Sequence, residues 1–252
     1  MRPAMKIPVG RRQSSQAGFT LIEILISMII MSIVTTMLVG VWIILLHTSA
    51  FARADNTASA TGRDSLDRVS AEIRAAQPNP SATPAAVTPF VLTLTAPYVC
   101  DGYDCTFYSA YNNAAIAADG VSASPGTGTA ALRLTSLWLD PTGAAQRKLH
   151  WTRDTNNNGI LGDAGDQTFV LANNVVNTAL SPVRPIFTYV FRDKAGNYTT
   201  STSPTSVVTS SSNVANLVAV NIELVIDANL ADRPTYVDFV STVRPRNVAG
   251  SN

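Results

Sequence analysis

Between Ile24 and Leu46 the chain carries no charged side chain, and a single carboxylate, Glu23, stands at the front of that run. At a rise of 1.5 Å per residue, roughly 20 consecutive apolar residues cross a hydrocarbon core, so the run is long enough for a membrane-spanning helix. All four cations of the first eighteen residues, Arg2, Lys6, Arg11 and Arg12, precede it, with no acid among them. The positive-inside rule keeps that end in the cytoplasm and sends everything after Leu46 across. Losing those cations turns the formal charge from +1 to −3. The exported part therefore has no broad electrostatic attraction for nucleic acid.

An ordinary secretory signal carries its small-residue cleavage site behind the apolar core. Here His47-Thr-Ser-Ala50 is only a weak site of that kind, and the small residue stands in front, at Gly18. A basic leader, Gly18, Phe19, then Thr20-Leu21-Ile22-Glu23 and a long apolar helix, in that order, resemble the prepilin segment of type IV pilins and pseudopilins. The closing Val243-Arg-Pro-Arg-Asn247 loosely resembles minor pilins and J-type pseudopilins. The resemblance implies that a membrane aspartyl peptidase cuts between Gly18 and Phe19, that Phe19 becomes an N-methylated terminus, and that Glu23 serves assembly. It implies as partners other pilins or pseudopilins in a filament, the prepilin peptidase, a membrane platform protein and, acting indirectly from the cytoplasm, an assembly ATPase. It also implies a single-pass protein of the cytoplasmic membrane, N-terminus inside and head outside, which becomes part of a periplasmic or cell-surface filament.

Physical chemistry gives Glu23 a role beside that analogy. A carboxylate in a membrane helix costs about 2.5–3.5 kcal/mol at the bilayer centre and less near an interface, and such groups usually have a partner. Cleavage after Gly18 creates an ammonium at Phe19, one helical turn away in the same chain and within reach of a neighbouring subunit. Methylation leaves it cationic. Pairing Glu23 with a neighbour's amine favours one axial register, since a slipped helix strands a charge in a low-dielectric setting.

Behind the apolar run, Phe51, Ala54, Ala58, Gly62, Leu66, Val69, Ile73 and Ala76 recur every three or four residues, so one helix continues to about Gln77, where Pro78 and Pro80 stop it. The period then becomes two. Strands are predicted at 90–95, 105–111, 131–139, 147–152, 168–171, 186–191, 198–201, 216–226 and 236–243. The predicted class is α+β: a long N-terminal helix packed on a C-terminal antiparallel sheet, as in pilins. The chain divides into a leader (1–18), a transmembrane or filament-core half-helix (19–46), an amphipathic half-helix (47–77) and a β-rich head (78–252).

The head offers few sites for chemistry. Cys100 and Cys105 enclose four residues, a spacing that suits neither a CxxC redox pair nor a four-ligand zinc site. A small structural disulfide is the first reading for an exported domain, and two unpaired thiols the alternative. Asp154, Asn156 and Asn158, the glycine after them and the Ile160 carbonyl follow the first half of a calcium loop, with Asp163 or Asp166 left to close the shell. The alternative is a polar, Asx-rich hairpin. A structural calcium is thus the one candidate cofactor. No G-x-S-x-G elbow, P-loop or HExxH is present, and His150 falls in a predicted strand. The reading is therefore non-enzymatic. Tyr98, Tyr103, Phe107, Tyr108 and Tyr111 crowd the cysteines, as a core or as a recognition face. Two rivals stand beside the filament subunit. One is an adhesive or DNA-uptake pilin, with Arg184, Arg192, Arg244 and Arg246 clustering in the folded head. The other is a membrane-anchored exported enzyme.

Overall fold

The computed structural model describes residues 19–77, 90–91, 98–110, 132–140, 142, 147–193, 195–203, 217–228 and 236–245. The leader, Gly18 and the Pro78–Pro84 linker lie outside the described residues.

One helix, α1 (Leu21–Arg74, 54 residues), opens the described chain. Its start is written locally. The Thr20 hydroxyl accepts from the Glu23 amide (3.4 Å), and the Glu23 carboxylate accepts from the Thr20 amide (3.3 Å). These reciprocal bonds form a capping box that satisfies two of the donors every helix N-terminus leaves open. Within the apolar run, hydroxyls turn back on their own helix: Thr35 donates to the Met31 carbonyl and Thr36 to that of Ser32, each at 2.8 Å. At the far end α1 stops at Arg74, short of the predicted Gln77. There the backbone is drawn into a sheet edge, with Ala76 bridged to Ser109 and the Gln77 amide donating to the Tyr108 carbonyl (2.9 Å).

The chain forms two compact units, residues 1–50 and 51–252. In the first, the described residues are helical from Leu21 onward and expose apolar side chains on every side, among them Ile33, Val34 and Leu38. In the second, the rest of α1 packs on eight strands: β1 (Cys105–Ser109), β2 (Arg133–Leu139), β3 (Arg147–Arg153), β4 (Gln167–Val175), β5 (Phe187–Arg192), β6 (Tyr198–Ser201), β7 (Leu217–Asp227) and β8 (Tyr236–Val243). The architecture is α+β, with a long N-terminal helix and a C-terminal antiparallel sheet, as predicted. The strand order is β1-β2-β3-β4-β7-β5-β6, and β8 pairs with β7. Every pairing is antiparallel.

The buried stripe of α1 holds the predicted Gly62, Val69 and Ile73, but Phe51 is exposed and Ser65, Ser70 and Glu72 are buried beside it because they bond to the sheet. Val69 and Ile73 enter the core with Phe107, Leu149, Ile222 and Leu224. Gly62 lets the helix approach β8, since a Cβ there would fall 2.1 Å from the Phe239 ring. Two strand readings change. The strand predicted at 168–171 continues to Val175, because Asn174 takes a left-handed conformation (φ 58°) and register shifts absorb the Asn-rich stretch instead of ending the strand. β2 is buried on both faces rather than alternately: Leu134 and Ser136 face away from the helix yet are covered, and the Thr106 and Ser136 hydroxyls bond at 2.8 Å. Of the strand predicted at 90–95, Phe90 bridges Phe107, and residues 92–95 lie outside the described residues.

Candidate assembly site

Phe19 is 80% exposed, and Glu23 occupies the first turn of α1. Among the described residues, the contacts of the Glu23 carboxylate are the Thr20 amide and hydroxyl, both at 3.3 Å, long for charge-assisted bonds. It thus keeps acceptor capacity for a cation. The capping role of Thr20, read in the sequence only as part of the prepilin order, is the feature missed there, although Thr-x-x-Glu before an apolar run is a legible capping signal. Gly18, the other half of the cleavage site, lies outside the described residues.

A second carboxylate on α1 has the opposite environment. Glu72 is 1% exposed, and both its oxygens accept from Arg153 Nη2 at 3.0 Å. Trp151 Nε1 donates to Oε1 (3.1 Å) and the Ser109 hydroxyl to Oε2 (3.0 Å). Burial raises the Glu72 pKa, and the Arg153 guanidinium opposes that rise. Arg153 and Arg68 lie over the Trp151 ring, at 4.8 and 5.0 Å from its centroid. Helix, β1 and β3 are locked in one register by a fully bonded polar cluster.

Cys100 and Cys105 are free thiols, both buried, and burial pushes the Cys105 thiol pKa up. The loop between them is bonded outward. Gly102 offers its carbonyl to the Ile186 and Phe187 amides (2.7 and 2.9 Å), and the Asp104 carboxylate accepts from the Leu139 amide (2.9 Å). Burial pushes the Asp104 pKa up to about 7.

The six residues of the calcium reading sit in one loop between β3 and β4. Asp154 is buried and accepts from the Asn157 and Gly159 amides (2.5 and 2.8 Å). Asp163 accepts from the side-chain amides of Asn156 and Asn158, Asp166 from the Gly162 amide (2.6 Å), and Asn158 from the Ile160 amide (2.8 Å). The loop is closed by its own bonds. Among the described residues no three His, Cys, Asp or Glu side chains are grouped to hold a metal.

The remaining candidates pack. His150 stacks on Trp138 with centroids 4.4 Å apart, and burial lowers its pKa. Phe107 is core, Tyr98 meets Trp138 edge-on, and Tyr111 lies outside the described residues. Arg184 is held by Glu223 and Asp238 (3.1 and 3.0 Å), and Arg192 lies over Tyr198. Arg184, the first member of the proposed basic cluster, is thus already paired with two acids.

No curated protein matches the chain, and no solved structure matches it. Residues 13–39 match the prokaryotic N-terminal methylation motif. That stretch contains Gly18, Phe19, Thr20 and Glu23 and enters the apolar half of α1, so the chain carries a prepilin segment of the type IV pilin and pseudopilin kind.

Proposed function

We propose that the protein is a minor pilin or minor pseudopilin, a non-enzymatic subunit that waits in the cytoplasmic membrane and enters a filament through the apolar half of α1. The observation that carries this reading is the pairing of an apolar helix face left uncovered with a carboxylate in its first turn whose partner among the described residues is Thr20. Cleavage between Gly18 and Phe19 supplies the missing cation at the new terminus, and methylation preserves its charge. A subunit that docks with its Glu23 beside a neighbour's Phe19 amine covers both apolar area and charge, while a slipped one leaves the carboxylate unpaired. The head, held to the amphipathic end of the helix by the Glu72 cluster, is carried to the filament surface. Partners in this reading are other pilins, the platform protein and, through it, the assembly ATPase.

Intact-mass analysis of protein extracted from membranes and sheared filaments tests the reading. A chain that begins at Phe19 and carries one added methyl group is expected. A full-length chain that retains Met1–Gly18 would remove its support.

A further inference from the structure

The loop between Cys100 and Cys105 does more than lead into β1. In the strand order, β1 stands at one end of the sheet, and β2, β3, β4 and β7 separate it from β5. The loop nevertheless bonds to both. Gly102 receives the amides at the start of β5, the Tyr189 hydroxyl of β5 donates to the Asp104 carbonyl (3.1 Å), and the Asp104 side chain receives the last amide of β2. Phe90 adds a ring contact to each side, 5.9 Å from Phe107 and 6.0 Å from Tyr189. The sheet is curled, and this loop is the clasp that fastens one end to β5. The two thiols sit at the base of the clasp. Cys105 is 0% and Cys100 3% exposed. Cys100 Sγ donates to the Thr106 carbonyl (3.1 Å) and accepts from the Thr106 amide (3.2 Å).

We propose that Cys100 and Cys105 are a disulfide-forming site through which export makes this clasp covalent, and that the bond forms before the sheet closes over it. The inference rests on the reading that the head is exported. Two S–H bonds break and one S–S bond forms. The two electrons and two protons pass to the disulfide of an exported thiol oxidoreductase, which leaves as a dithiol after a mixed-disulfide step. Burial sets the order of events. A partner enzyme must reach a sulfur to exchange with it, and in the closed head neither sulfur is reachable, so oxidation precedes closure. Closure then shields the bond from reductants, and the pair works as a lock set once during folding.

The test uses the full-length expressed protein recovered from the membrane. It is denatured in iodoacetamide without reductant and weighed intact, then again after reduction. No alkylation before reduction and two additions after it are expected. Two additions before reduction on a chain that has lost its leader would overturn the disulfide and leave the filament reading standing. Two additions on a chain that keeps its leader would overturn both. The folded protein is also expected to melt at the same temperature with or without added reductant in the sample buffer at low temperature. Reduction under denaturing conditions followed by refolding should lower that temperature by on the order of 5 °C. An unchanged melting temperature after refolding reduced would sink the clasp.

Discussion

Along α1 the stretch Leu21–Leu46 leaves its apolar side chains uncovered, while the stretch Gly62–Ile73 buries a carboxylate among strands. In the first, the contacts of the Glu23 carboxylate among the described residues are the two to Thr20. In the second, Glu72 accepts from Arg153, Trp151 and Ser109. The difference teaches how to read a charge in an unexpected place. A carboxylate whose partners all lie within its own chain is part of a finished fold, and one left on a bare apolar surface is completed by another molecule. Asp104, buried with one amide donor to its side chain, and Asp163, half-buried and held by its own loop, stand between these two.

The finished site should break hardest. Glu72→Ala strands a buried guanidinium and two donors, and its expected cost is about 3–5 kcal/mol, read from denaturant unfolding of the head. A cost under 1 kcal/mol would mean that the cluster does not hold helix to sheet. Asp104 sharpens the comparison through pH. Its carboxyl titrates at about 7 in the fold against an ordinary 3.8, so the fold holds that proton more tightly than the unfolded chain does. The stability linked to it is fully present below about pH 4 and is lost as pH rises through about 7. Asp104→Asn keeps an acceptor for the Leu139 amide and removes the titration. It should flatten the pH 4–7 slope and add up to about 4 kcal/mol at pH 8; an unchanged slope would place the titration elsewhere. The smallest effect is expected at the 154–166 loop. We propose that calcium binds there, with a gain limited to about 1–2 kcal/mol because its oxygens already have amide donors. Millimolar calcium should raise the melting temperature by a few degrees in the native protein and not in Asp163→Asn, and equal response of the two proteins would remove the loop as the site.

Much of this was legible in the sequence. The apolar run, the three-four spacing behind it and the period-two strands each report a local rule, and they gave α1, its core face and most strands within a few residues. The prepilin order Gly18-Phe19-Thr20 to Glu23 is likewise contiguous, so it can be read without a fold. The Glu72 cluster was not legible, because its members at 72, 109, 151 and 153 meet only once the sheet has registered against the helix. Nor was the clasp, since nothing near Cys100 announces a contact with Phe187 or Tyr189. Local signals fail where a strand's fate depends on a neighbour, as at Asn174, where a left-handed residue let β4 run on past a stretch that reads as a turn.

The account stands on Glu23 being completed by another subunit, and Glu23→Ala measures that most directly. Membrane and sheared-filament fractions of cells making the variant are compared by immunoblot, beside the wild-type chain. Trimming of the leader at Gly18 is expected to proceed, and the variant is expected in the membrane and at least tenfold depleted from filaments, about 1.4 kcal/mol in partition. Filaments that take up the trimmed variant as readily as the wild type would contradict the claim.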